Sequence, residues 1–150
     1  MPDHSPGLTT LARRCIAAGA ILMLCGVLLG AFGAHALQAQ LTPRQLASYQ
    51  TGVQYQMLHA IGLMIVGIVG QVTGASPRLR WSARLMVAGI VFFSGSIYLM
   101  TAGAPRGLGM VAPLGGVSFM AAWALLAWHV LARPSGTLSR DAGAGRGEET

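Results

Sequence analysis

The sequence has no lysine, and between His4 and Arg140 it has neither aspartate nor glutamate. All four acidic residues lie near the two ends, and charged residues make up only 9% of the chain, against about 25% in an average soluble domain. A water-exposed domain of this length needs charges of both signs on its surface. Because apolar residues reach 53%, the composition predicts a membrane domain and argues against a soluble one.

The ten basic residues are all arginines, and they fall between apolar runs instead of forming one cluster. A nucleic-acid surface needs clustered positive charge on a folded face, so we expect no nucleic-acid partner. The chain has two cysteines and no C-x-x-C-H haem motif. His35 and His59 lie at different predicted depths, and no carboxylate joins them. We therefore predict neither a metal ion nor another cofactor.

Four uncharged stretches divide the chain, at residues 15–37, 45–76, 85–105 and 107–132. The first has 23 residues, enough to cross the hydrocarbon core as a helix. In lipid each stretch must be helical, because an unclosed strand leaves backbone groups unpaired. The predicted fold is all-α: an integral membrane four-helix bundle at residues 12–132, with spans at about 14–37, 49–72, 84–103 and 110–131. Residues 1–11 and 133–150 are predicted tails, the second one disordered.

The arginines also predict an orientation. Two precede the first uncharged stretch, three lie between the second and third stretches, and three follow the fourth, whereas only Arg44 and Arg106 lie on the other side. The positive-inside rule then places both termini in the cytoplasm. Ala34-His35-Ala36 resembles a signal-peptide cleavage site. The apolar run before it is longer than a signal peptide requires, so we expect no cleavage.

The densest polar segment is "YQTGVQYQMLHA", residues 49–60. Tyr55, Gln56 and His59 are three or four residues apart and share one helical face. In the third span, Ser94, Tyr98 and Thr101 form a polar stripe. The candidate polar cluster of the bundle therefore comprises Gln56, His59, Tyr55, Ser94, Tyr98, Thr101 and His35. Two interpretations stay open: buried groups hydrogen-bonded across helices, or a functional histidine beside a polar path.

Small residues recur at helical spacing in the first, third and fourth spans. In a bilayer such residues let helix backbones approach closely. The predicted packing positions are Gly26, Gly30, Gly33, Gly89, Ser96, Gly103, Gly115 and Ser118.

Four motifs occur in order: "LGAFGAHAL", "YQTGVQYQMLHA", "VFFSGSIYL" and "APLGGVSFMAAWALLAW". Together they resemble the YgdD-like family of small bacterial inner-membrane proteins, which has relatives among small eukaryotic transmembrane proteins. The resemblance covers residues 12–132 and implies a four-helix inner-membrane protein without an established activity. It transfers no catalytic residue to this chain.

Three hypotheses of function follow. The favoured one is a non-enzymatic membrane protein that acts as an assembly, regulatory or structural partner of a membrane complex, or as a homo-oligomer. It rests on the small size, the small-residue seams and the lack of catalytic groups. The second is a small oligomeric transporter or channel with a polar path around His59. The third is a membrane enzyme or cofactor binder, although no catalytic constellation is recognisable.

Overall fold

The computed structural model describes residues 7–133, and this part of the chain is helical. Helix α1 spans Thr10–Leu37 and α2 spans Pro43–Thr73. Helix α3 spans Pro77–Thr101, and α4 spans Ala112–Leu131 after a short 3-10 turn. All four helices are long and apolar enough to cross a bilayer, which confirms the predicted all-α fold of four membrane helices. Of the predicted tails, 1–11 and 133–150, residues 1–6 and 134–150 lie outside the described residues.

Side-chain caps fix where the first three helices begin. The Ser76 hydroxyl oxygen accepts a hydrogen bond from the amide of Leu79 at 3.2 Å, and Thr9 caps α1 in the same way. Thr42 and Gln45 form a reciprocal capping box, with Pro43 as the first helical residue. Because these caps lie beyond the apolar stretches, the three helices begin several residues before the predicted spans.

The four helices are antiparallel to their neighbours in sequence. Gly70, near the end of α2, packs on Leu11 of α1 and on Leu79 of α3. His129, near the end of α4, bonds to Thr73, the last residue of α2. The start of α1, the end of α2, the start of α3 and the end of α4 therefore meet at one end of the bundle. We call this the terminal end, and the opposite one the distal end.

Helix α2 lies at the centre of the bundle, and α1 lies at its edge. In the most apolar window of each helix, 44% of α2 is buried but only 17% of α1. The buried apolar side chains that form the hydrophobic core lie towards the terminal end and comprise Cys15, Leu63, Val66, Leu79, Ala83, Met86, Ala122 and Leu126. Much of the surface of α1 and α4 is exposed and apolar, as a helix against lipid requires.

Two helices contain a π-helical turn, at Gly33–Leu37 in α1 and at Ile90–Ser94 in α3. A π turn inserts a residue and rotates the following face relative to the preceding one. In α3 the π turn lies between the predicted packing positions Gly89 and Ser96, so these two residues do not keep the register of a regular α-helix. The helix ends at Thr101, and Gly103 follows with φ +98°, where a side chain would have nothing within 4 Å.

Candidate functional site

Gln56 is the centre of the polar cluster. Its side chain is only 3% exposed. The amide Nε2 donates to the carbonyl oxygen of Leu22 in α1 at 2.8 Å, and Oε1 accepts from the Tyr98 hydroxyl of α3 at 3.0 Å. A single amide thus joins three helices, in surroundings where an unpaired amide costs several kcal/mol.

Two further side chains bond to main-chain carbonyls of neighbouring helices near the same level. Ser94 of α3 donates to the carbonyl of Gly52 at 2.7 Å, and Tyr49 of α2 donates to that of Leu29 at 2.8 Å. Among residues 7–133, no buried side-chain nitrogen or oxygen lacks a hydrogen-bond partner. The hydrogen bonds of Gln56, Ser94 and Tyr49 therefore hold neighbouring helices together.

His59 lies between helices, beside aromatic rings. Its Nδ1 lies 2.7 Å from the carbonyl oxygen of Tyr55, and because a carbonyl only accepts, Nδ1 carries the proton. The imidazole stacks on Phe119 of α4 with ring centroids 3.4 Å apart, and Trp123 lies further along. The described residues contain no group of three metal-ligating side chains around it. The geometry favours a packed, hydrogen-bonded histidine.

The structure does not bring all the predicted polar residues together. Tyr55 is 40% exposed, and its ring stacks on Phe93 and on His59. Thr101 donates to the carbonyl of Ile97 in its own helix, and His35 is exposed at the distal end. The predicted residues thus form a compact bonded cluster with separate outliers, and they do not line one continuous path.

Several predicted packing positions lie at close helix contacts. A methyl group at Gly33 would lie 2.6 Å from the Tyr49 ring, and one at Gly115 would lie 2.5 Å from the backbone nitrogen of Phe93. Gly26 and Gly89 are similarly crowded, by Met57 and Phe119, while Gly30 makes an ordinary contact with Val53.

The two predicted serine positions differ from each other. Ser96 is buried and donates to the carbonyl of Phe93 within its own helix at 2.8 Å. Ser118 is half-buried, and its hydroxyl bonds to the carbonyl of Leu114 in α4. Each of these two hydroxyls thus bonds to a carbonyl of its own helix.

A second polar cluster, not predicted from the sequence, lies at the terminal end. The ring of His129 is buried, with Nε2 3.0 Å from the Thr73 hydroxyl and Nδ1 3.0 Å from the Ser76 hydroxyl. Thr73 donates to the carbonyl of Val69, so its oxygen accepts from Nε2–H of His129. Ser76 then donates to the bare Nδ1. This cluster joins the end of α4 to the loop between α2 and α3.

One face of α2 is exposed along most of the helix. Its exposed residues follow each other three or four positions apart: Ala47, Gln50, Gln54, Leu58, Ile61, Ile65 and Ile68. We call this set the α2 ridge. Gly30 packs on Val53 and Gly26 on Met57, so Gln54 lies level with Leu29 of α1. Leu29 lies about 12 Å inside the distal end of the uncharged stretch of α1. The exposed Gln54 amide is therefore at membrane depth.

Comparisons with known proteins agree with this architecture. Residues 29–116 match a family model described as a protein of unknown function, DUF423. The chain is 42% identical over 108 residues to the UPF0382 membrane protein YwdK of Bacillus subtilis, covering 72% of this chain and 88% of that protein. It is 38% identical over 100 residues to the UPF0382 inner membrane protein YgdD of Escherichia coli, covering 67% of this chain and 76% of that one.

A UPF0382 membrane protein of Staphylococcus haemolyticus is 39% identical over 108 residues, which cover 72% of this chain and 87% of the relative. No solved structure matches the chain significantly. The relatives' names and the four long apolar helices together identify a multi-pass inner-membrane protein.

Proposed function

The chain belongs to the DUF423 family of membrane proteins, and from that premise we propose that it is a non-enzymatic partner protein of a membrane complex. The contact surface is the α2 ridge. The occupant is a transmembrane helix of another protein that presents an amide or hydroxyl group level with Gln54. The observation that carries the proposal is the exposed Gln54 amide at membrane depth.

Two physical arguments support this function. An amide facing hydrocarbon has no water to bond, and a polar side chain from a second helix relieves that cost by about 1–2 kcal/mol. The buried polar groups, in contrast, are already bonded within the bundle. Gln56 and Ser94 each donate to a main-chain carbonyl of another helix, which leaves little free polar chemistry for a reaction or a permeation path.

The proposal includes an orientation with the terminal end in the cytoplasm. Six of the arginines in the described residues lie towards that end, and Arg44 and Arg106 lie towards the distal end. Trp81 and Trp128 also lie near the terminal end and are exposed, as interfacial tryptophans are. With this orientation, Gln54 lies in the outer half of the membrane.

Site-specific photocrosslinking in native membranes tests the proposal. Photoreactive residues at Leu58 and Ile65, both on the α2 ridge, are expected to yield adducts with the same membrane protein. A probe at Leu28 serves as the matched control, because Leu28 is 62% exposed on α1, at a similar depth. The variant Gln54→Leu should reduce the adduct yield at Leu58 several-fold.

The adduct mass separates the possible outcomes. An adduct with twice the mass of the chain means that the ridge joins two copies, which contradicts the proposed occupant. Lipid adducts alone at all three positions contradict a protein contact altogether. Unchanged yield in Gln54→Leu contradicts the role of the amide.

A further inference from the structure

A groove opens between α1 and α3 near the terminal end of the bundle. Its volume is about 500 Å³, within the range of small-molecule sites. Leu63 of α2 lies at its floor, and the small side chains of Ala18 and Ala88 on its two walls leave the space open. The groove is on the opposite side of α2 from the ridge, because Leu63 is half a turn around the helix from Gln54.

Three arginines line this apolar groove: Arg14 on α1, and Arg80 and Arg84 on α3. Gly70 of α2 touches both Leu11 and Leu79, so the first turns of α1 and α3 lie at one level. Arg14 and Arg80 therefore face each other across the groove. Arg84 lies one turn deeper, about 6 Å further into the membrane.

The arginines of the groove have no carboxylate partner in the membrane domain. Residues 5–139 contain no aspartate or glutamate at all. The Arg84 guanidinium lies 5.1 Å from the centre of the Trp81 ring, a cation–π contact that leaves its N–H donors available. The three guanidinium groups therefore place positive charge beside the apolar floor of the groove. An anion from outside the chain can neutralise this charge.

We propose that this groove binds one anionic phospholipid. The guanidinium groups of Arg14, Arg80 and Arg84 hold the phosphate, and an acyl chain lies along Leu63 between Ala18 and Ala88. A soluble anion uses only the arginines, whereas a phospholipid also fills the apolar floor. Basic pockets between membrane helices bind anionic headgroups in this way. The proposal does not depend on the partner contact of the α2 ridge.

The test uses the purified full-length chain, delipidated and returned to mixtures of dioleoyl phosphatidylglycerol and dioleoyl phosphatidylcholine. Native mass spectrometry then counts the retained lipid. One phosphatidylglycerol per chain is expected to be retained in preference to phosphatidylcholine. The double variant Arg14→Gln/Arg84→Gln should weaken that preference about 30-fold, since each arginine near a headgroup contributes about 1 kcal/mol.

The matched control is Arg13→Gln/Arg78→Gln. It removes the same charge from the same end of the bundle, but neither residue lines the groove. The preference of this variant for phosphatidylglycerol should fall less than about 3-fold, because only the general attraction between the basic end of the bundle and anionic lipid is reduced. Equal losses in the two double variants, or no preference in the unmodified chain, would overturn the proposal.

A second pair of variants tests the acyl-chain position without changing charge. Ala18→Leu fills the groove and should reduce phosphatidylglycerol retention about 10-fold, while Ala17→Leu on the neighbouring exposed face should leave it unchanged. Full retention in Ala18→Leu contradicts the groove as the lipid site. Release of a co-purifying protein instead of lipid, in either groove variant, shows a protein occupant and also contradicts the proposal.

Discussion

Gln54 and Gln56 are the same residue type two positions apart on α2, but their side chains lie in opposite surroundings. Gln56 is buried, and its amide is bonded to Leu22 of α1 and to Tyr98 of α3. Gln54 is exposed on the α2 ridge. Two positions along a helix correspond to about 200° around its axis, so one amide points into the bundle and the other away from it.

The difference predicts separate roles for the two amides, Gln56 in stability and Gln54 in the proposed recognition of a partner. A buried amide that is bonded on both sides by other helices contributes to folding and is not accessible to a partner. An exposed amide at membrane depth contributes little to folding and favours association with another polar group. Neighbouring residues of the same type on opposite faces therefore provide matched pairs that test the two roles separately.

The largest effect is expected from the glycine pair in α4. A methyl group at Gly115 would lie 2.5 Å from the backbone nitrogen of Phe93 and 2.9 Å from the carbonyl of Gly89, whereas one at Gly116 meets nothing within 4 Å. Because backbone atoms cannot move aside as a side chain can, Gly115→Ala should lower the free energy of unfolding by about 3 kcal/mol. Unfolding in mixed detergent micelles measures it.

Gly116→Ala is the control for this substitution. It should be neutral or slightly stabilising, because alanine has a higher helix propensity than glycine. Equal stability of the two variants would mean that α3 and α4 do not make the close contact at Gly115.

The glutamine pair itself should give a smaller effect. In Gln56→Leu the hydroxyl of Tyr98 loses its acceptor, so the free energy of unfolding should fall by about 1–2 kcal/mol. Gln54→Leu should leave the unfolding free energy within about 0.5 kcal/mol of the original. A stability loss in Gln54→Leu as large as that in Gln56→Leu would break the distinction between the two faces.

Much of the fold could be predicted from the sequence, because lipid restricts what a chain can form. Four uncharged stretches allow only helices, and Thr42 with Pro43 marks a helix start that the structure also has. The spacing of Gln56 and His59 placed both on one face, and both are buried. Tyr55 has equally suitable spacing, but it lies at the edge of that face. Whether a residue at the edge is buried or exposed depends on where the neighbouring helices lie, and the spacing does not determine that.

Contacts between distant segments could not be predicted in the same way. His129 bonds to Thr73 and Ser76, which are 56 and 53 residues away in the sequence. The arginines of the groove come from α1 and α3. From the sequence alone, they indicate only the orientation of the chain in the membrane. Their common position depends on α1 and α3 lying on either side of Leu63. The packing of the helices determines such sites, and hydrophobic periodicity does not predict them.

The smallest effect is expected from a pair of histidines at the two ends of the bundle. His129 is buried between Thr73 and Ser76, whereas His35 is exposed at the distal end. In His129→Phe, Thr73 keeps its bond to Val69 and Ser76 still caps α3. The free energy of unfolding should therefore fall by only about 1 kcal/mol.

The loss in His129→Phe should also be local, because the histidine joins α4 to the loop between α2 and α3. Amide hydrogen exchange should accelerate at residues 74–76 and remain unchanged at the distal end. His35→Phe should change neither the unfolding free energy nor the exchange rates. Uniform acceleration of exchange throughout the bundle would show instead that His129 supports the whole fold. The bonds of His129 would then stabilise the bundle as those of Gln56 do.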